Sequence, residues 1–268
     1  MVSLSIVILN YKTRGLLKQC LNGLRKFPPA ISHEIIVIDN DSQDGSCEMI
    51  RSEYSEVKLI ASDKNIGHAS GNNLGIREAK GDYILLLNTD IVIFDYSIDK
   101  LYNFMVANSN VGIVGGKLYD PSKSLQFSCL GFPKLLTPFY RRTLLGKFNF
   151  GKKELERYLM LDFDHRTARR VDWMMSSCMM ITRKCIEKIG LMDQRYFVYF
   201  ADTDWCRSAW QNHFEVWYYP DASFVHYYKR ESATGLLFLN KIARIHIHDW
   251  FKYILKWGIA SKSVYGTK

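Results

Sequence analysis

Residues 83–90, Tyr-Ile-Leu-Leu-Leu-Asn-Thr-Asp, end an apolar run abruptly in Asn88, Thr89 and Asp90. A wholly apolar run of this length suits a strand buried on both faces, as in a parallel sheet covered by helices. The polar triplet then falls at the strand's carboxyl end, where open α/β sheets bind ligands. Asp90 offers a hard oxygen ligand and Asn88 a neutral amide. Oxygen donors suit Mg²⁺ or Mn²⁺, ions that usually arrive with substrate phosphates. The triplet therefore points to a metal–diphosphate site, while Asn and Asp also end strands simply because they start turns.

Four more features carry chemistry. Asp39 closes the apolar run 34–38, where a carboxylate can accept from a base imide or a ribose hydroxyl, or can cap the turn-rich stretch 39–44. Gly67, Gly71 and Gly75 stand four apart and share one helix face, which calls for close packing against a sheet or a ligand. Asp202 and Asp204 follow the aromatic run 196–200. A carboxylate in apolar surroundings gains proton affinity and can serve as a general base, while one at a helix N-terminus meets the dipole. His226 follows the apolar segment 222–225 and can either pack structurally or complete a metal site at Asp90, where imidazole favours Mn²⁺ over Mg²⁺.

The elements that must position these residues read most clearly in the first half. Strands are predicted at 3–9, 34–38, 57–61 and 83–87, alternating with helices at 16–24, 43–51 and 67–80. This alternation predicts a parallel sheet with right-handed crossovers. The second half yields a strand at 111–115, a basic and aromatic loop at 134–153 and an apolar segment at 171–182. A short helix at 185–189, short strands at 216–219 and 223–225, and a long helix at 236–257 follow. In that last helix Lys241, Arg244, His248, Lys252 and Lys256 form a basic stripe opposite Trp250, Tyr253, Ile254 and Trp257. Such a helix either lies in a membrane interface or packs its aromatic face on the domain.

The chain has 268 residues, enough for one large domain or two small ones, with 47% hydrophobic and 24% charged residues. A net charge of +9 favours anionic partners, but no nucleic-acid module accompanies it. The six cysteines make no CxxC pair and fit a reduced compartment better than a disulfide framework. The apolar start lacks a basic leader and a cleavage site, and no apolar run approaches the length of a membrane span. A Gly-x-Gly-x-x-Gly fingerprint and a Walker loop are both absent.

Taken in order, Ile6–Tyr11, Val37–Ser42, Asn65–Gly75, Asn88-Thr89-Asp90, Asp172-Trp173, Tyr199–Asp204 and His226 resemble glycosyltransferase family 2, over residues 3–230. The nearest likeness is to bacterial rhamnosyltransferase-like enzymes of surface polysaccharide assembly. The resemblance implies an α/β fold of the GT-A type: a Rossmann-like, mostly parallel sheet with helices on both faces, an acceptor-side subdomain and a C-terminal helix. It implies one domain over 1–235, with a nucleotide-sugar half at 1–117 and an acceptor half at 118–235, then a basic amphipathic helix and tail at 236–268. Carried over, it implies that Leu9 and Tyr11 flank the base, Asp39 binds base or ribose, Asn72 lies near the ribose-phosphate, and Asn88, which replaces the first carboxylate of an Asp-x-Asp, joins the nucleotide-binding set. It further implies that Asp90 and His226 hold Mg²⁺ or Mn²⁺, that Asp202, or Asp204, is the catalytic base, and that Asp172 and Trp173 line the acceptor side. Two departures stand out. Ala201 replaces a frequent Glu, which leaves the base open between the two aspartates, and Ser176-Ser177 replace a Gly-Ala-like pair.

The implied reaction is metal-dependent, inverting transfer of rhamnose or a related hexose. The donor would be a dTDP- or UDP-linked sugar and the acceptor a glycan or polyprenyl-diphosphate-linked sugar. The site would be cytoplasmic, on a protein peripheral to the anionic inner face of the plasma membrane. Two other readings compete. A nucleotidyltransferase should carry a glycine-rich loop after the first strand, where residues 10–15 lack it. A non-enzymatic anion- or membrane-binding module would have no need of Asp90 and Asp202.

Overall fold

The structure is a computed structural model that describes residues 2–227 and 241–259. Its first half runs β1 (Leu4–Asn10), α1 (Arg14–Lys26), β2 (His33–Asp39), α2 (Ser46–Glu53), β3 (Val57–Ala61), α3 (His68–Glu78), β4 (Tyr83–Asn88), β5 (Ile91–Ile93), α4 (Ser97–Ala107) and β6 (Val111–Tyr119). There follow β7 (Leu125–Gln126), β8 (Cys129–Leu130), α5 (Thr137–Arg142), α6 (Asn149–Tyr158), β9 (Arg169–Arg170), β10 (Trp173–Met174), β11 (Cys178–Thr182), α7 (Arg183–Ile189), α8 (Ala201–Gln211), β12 (Glu215–His226) and α9 (Lys241–Trp257).

The main sheet has the order β3-β2-β1-β4-β11-β6-β12-β5. The first four strands are parallel, as the alternation predicts, and β11 enters antiparallel between β4 and β6. Successive residues point to opposite faces of a strand, so the sheet feeds two cores. Val7, Ile36, Ile38, Ile84 and Leu86 pack under α3, α8 and α9. Leu4, Ile6, Ile8, Val37, Leu85 and Leu87 pack under α1, α2 and α4. This double covering is why the strands read as unbroken apolar runs. The parallel strands end together, so Asn10, Asp39 and Asn88 share one edge.

Several expectations need correction. Residues 134–153 are not a loop but fold largely into α5 and the start of α6. The two short strands expected at 216–225 are one strand, β12, whose register slips between Tyr219 and Ser223. Pro220 lies in that gap, and it has no N–H to give a ladder. Helix α4 was not anticipated. Residues 236–240 of the expected last helix lie outside the described residues. From Lys241 on, the helix packs its aromatic face on the domain. Tyr253 and Trp250 are buried, and Ile254 and Trp257 lean on the same core. Two residues of its basic stripe, Lys252 and Lys256, turn onto the protein's own acidic groups, while Arg244 and His248 are exposed. Among the described residues no helix is long and apolar enough to cross a membrane, and all six cysteines are free thiols.

Candidate active site

The end of β4 is built by strand pairing. Strand β5 follows Asp90 immediately and pairs antiparallel with β12, setting Ile91 opposite His226, and the Tyr227 N–H donates to the Asp90 carbonyl at 2.9 Å. This register brings His226 Nε2 to 3.4 Å from Asp90 Oδ1. His226 Nδ1 lies 2.6 Å from Gln126 Oε1, which fixes the ring's orientation. Asp90 Oδ1 is buried with no hydrogen-bond partner. One carboxylate oxygen beside one imidazole nitrogen is a donor set that suits Mn²⁺ or Mg²⁺. Among the described residues no group of three or more His, Cys, Asp or Glu converges. Such an ion would therefore complete its shell with phosphate and water, the habit of Mg²⁺ sites. Thr89 braces the turn, its hydroxyl 2.9 Å from that of Thr13, which donates in turn to Asn10.

Asp39 is buried, and both its oxygens are occupied. Oδ2 accepts from the Asn10 amide at 2.7 Å and Oδ1 from the Ser42 N–H at 2.9 Å. It thus fixes the turn that opens beside β1, and Asn10 ties the two strand ends together. Tyr11 stands exposed at this rim. Leu9 packs its side chain on α3, where a Cβ at Gly71 would fall 2.5 Å from Leu9 Cδ1. A Cβ at Gly75 would fall 2.4 Å from Val7. The glycine face of α3 therefore serves the sheet, bringing the helix N-terminus close to the strand ends. Asn72 is buried there, its amide donating to the His68 carbonyl at 3.0 Å.

Asp202 and Asp204 both lie in the first turn of α8, with different neighbours. Asp202 is partly exposed. Its oxygens accept from the Thr203 N–H at 2.8 Å and the Ser176 N–H at 3.3 Å, with the Ser176 hydroxyl at 3.5 Å. Burial pushes its carboxyl above the usual range, against these hydrogen bonds. Ser177 accepts from the Asn88 N–H at 2.8 Å, so the Ser176-Ser177 step joins the end of β4 to Asp202. Asp204 is buried in a closed set of partners: Lys256 Nζ at 2.8 Å, Trp257 Nε1 at 2.6 Å and the Tyr196 hydroxyl at 3.3 Å. Asp172 and Trp173 are buried as well. Asp172 accepts from the Phe132 N–H at 2.7 Å and Trp173 donates to the Gly131 carbonyl at 2.9 Å. The pair thus holds the loop at residues 131–132. Gln126, whose side chain meets His226 Nδ1 at 2.6 Å, had no motif to reveal it. Asn10 was legible as a polar strand end beside Asp39.

A family model, Glycosyl transferase family 2, matches residues 5–189. The chain belongs to this family. It is 25% identical over 242 residues to the N-acetylglucosaminyl-diphospho-decaprenol L-rhamnosyltransferase of Mycobacterium tuberculosis, covering 83% of this chain and 78% of that protein. It is 23% identical over 264 residues to rhamnosyltransferase WbbL of Escherichia coli K12, covering 96% and 94%. The dTDP-rhamnosyl transferase RfbF of Shigella flexneri is 25% identical over 195 residues, 72% of this chain and 59% of RfbF. Among solved structures, mannosyltransferase PcManGT from Pyrobaculum calidifontis in complex with GDP-Man and Mn²⁺ superposes with a TM-score of 0.62 at 16% identity, over 97% of this chain and 65% of that one. GalNAc-T7 with UDP, GalNAc and Mn²⁺ gives 0.64 at 15% identity, over 85% and 44%. The fold is that of the GT-A glycosyltransferases, and this family 2 glycosyltransferase is of the bacterial rhamnosyltransferase-like kind. Both competing readings, nucleotidyltransferase and non-enzymatic module, fall with that assignment.

Proposed function

We propose that this glycosyltransferase moves a sugar, rhamnose or a related hexose, from a nucleotide-diphospho-sugar to a hydroxyl of a lipid-linked or glycan acceptor, with inversion. The observation that carries this reading is the edge where Asp90 faces His226 while Asp202 stands beyond the Ser176-Ser177 bridge. Asp90 and His226 would hold Mn²⁺ or Mg²⁺, which when bound supplies positive charge to the leaving diphosphate. The strand ends at Leu9, Tyr11 and Asp39, with Asn72 and Asn88, frame the nucleotide. Asp202 takes the proton of the acceptor hydroxyl as it attacks the anomeric carbon opposite the diphosphate. Its burial-raised proton affinity suits that task. Asp204, already bound by Lys256 and Trp257, is a staple instead. A dTDP-linked donor and a diphospho-polyprenol acceptor follow the names of RfbF and the mycobacterial relative. UDP-hexoses are the second donor class.

The enzyme would work in the cytoplasm at the inner face of the plasma membrane. The surface we assign to an anionic membrane is not α9 but the region of α5 and α6. There Leu144, Phe148 and Phe150 are more than half exposed, beside exposed Arg141, Lys147, Lys152 and Lys153. Two of these rings are stacked, with centroids 6.0 Å apart. A thermal-shift panel of dTDP-, UDP- and GDP-sugars with and without Mn²⁺ tests the donor, since ligand held by the native state raises its stability. A metal-dependent upshift with dTDP-rhamnose or a UDP-hexose is expected, and no shift with any of them contradicts the reading. Cosedimentation with vesicles containing anionic lipid tests the membrane surface. Phe148→Ser with Lys152→Glu and Lys153→Glu should abolish it and spare donor binding, and undiminished binding refutes the surface.

A further inference from the structure

Asp249 lies in the middle of α9 and is fully buried. Its Oδ2 accepts the backbone N–H groups of three successive residues, Phe197, Val198 and Tyr199, each at 3.1 Å. Its Oδ1 is 3.5 Å from Lys252 Nζ, and the same ammonium donates to the Arg195 carbonyl. One turn on, Lys256 reaches Asp193 at 3.3 Å and Asp204 at 2.8 Å. Helix α9 thus grips residues 193–204 along their length.

That grip has a chemical logic. Residues 197–199 lie in neither a strand nor a helix, so no ladder of their own element takes their N–H groups, and buried donors must be satisfied. One carboxylate oxygen accepts from three of them. The other side of the segment rests on α3, where the Phe197 carbonyl accepts the His68 N–H at 2.6 Å. A Cβ at Gly67 would come within 2.6 Å of that carbonyl. The segment then passes through Phe200, a bulky residue held at a φ of 68°, and α8 begins with Ala201 and Asp202. An aromatic residue adopts that backbone only when its surroundings impose it.

We propose that Asp249 is a positioning residue for the catalytic base: by gathering the three amides it sets the path of the chain into Phe200 and so the place of Asp202. The proposal rests on the reading of Asp202 as base. It makes α9 part of the frame of the active site.

The test is a double-mutant cycle on turnover, read as nucleoside diphosphate released from dTDP-rhamnose with a diphospho-polyprenol-linked N-acetylglucosamine acceptor, alongside donor Kd and a thermal melt. Asp249→Ala should lower kcat roughly 10–100-fold, the scale of a misplaced catalytic group, with donor Kd within about twofold. Asp249→Asn, which keeps an acceptor oxygen, should recover most of the loss. In the Asp202→Asn background Asp249→Ala should cost less than about twofold more, because the group through which it acts is gone. A full multiplicative loss in that background, or donor Kd weakening in step with kcat, overturns the positioning role. If Asp249→Ala does not fold, the same cycle is read with Asp249→Glu, which keeps a carboxylate for the three amides but sets it one methylene farther out and so shifts the segment. Asp202→Asn alone at near wild-type turnover sinks the base assignment instead, so the two failures are told apart.

Discussion

Asp202 and Asp204 stand two residues apart in the first turn of one helix, and the regions they face could hardly differ more. Asp202 faces the strand-end mouth, partly open, with backbone N–H groups as its main partners. Asp204 faces the seam with α9, closed over by an ammonium, an indole N–H and a phenol. A free general base must be able to gain and lose a proton beside substrate, whereas a carboxylate wrapped by a cation is committed. The comparison teaches that role follows from what packs against the residue, since type and spacing are the same.

The largest effect that can break this contrast is on turnover. Asp202→Asn should lower kcat by about 10²–10⁴-fold, the usual contribution of a general base, and leave donor Kd unchanged. Asp204→Asn should stay within a few-fold when assayed where it is folded. Stability should show the reverse. Asp204→Ala takes the shared carboxylate from Trp257 and Lys256, leaving Lys256 its contact with Asp193, and should cost about 2 kcal/mol, or roughly 4–8 °C in Tm for a chain of this size, read by calorimetry. A smaller effect concerns pH. Since burial raises the Asp202 carboxyl above the 3.8 of an unperturbed aspartate, kcat/KM should fall on acidification through an inflection above that value. That acid limb should persist in Asp204→Asn. An inflection that vanishes with Asp204 would reverse the assignment. The smallest effect follows from linkage. With its folded-state pKa raised, Asp202 is a stability cost once pH rises through that pKa. Asp202→Asn should therefore raise Tm at neutral pH by about 1–3 °C and give no gain below pH 3.8.

How much of this was legible depended on how local the signal was. Strands β1 to β4 and the helices between them announce themselves through apolar runs and turn residues, and their parallel order follows from the alternation. The pair proposed to hold the metal was half legible. Asp90 ends a strand in plain view, while His226 joins it only through the pairing of β5 with β12. The separation of Asp202 from Asp204 was not legible at all, because Lys256 and Trp257 lie about fifty residues downstream. Helix α4 did carry a pattern, Ile98, Leu101 and Met105 at helical spacing, that went unread beside the stronger strand signals. The stretch 134–153 misled because its aromatic and basic residues remain exposed, so no apolar face marked its helices.

The central claim is that the end of β4 receives the donor diphosphate together with a divalent ion held by Asp90 and His226. Calorimetric titration of the nucleoside diphosphate with and without Mn²⁺, on the wild type and on Asp90→Ala, tests it most directly. The wild type should bind the nucleotide at least about tenfold more tightly with Mn²⁺ present, a coupling of about 1.4 kcal/mol, and Asp90→Ala should bind it equally with and without the ion. A metal dependence that survives intact in Asp90→Ala would contradict the account.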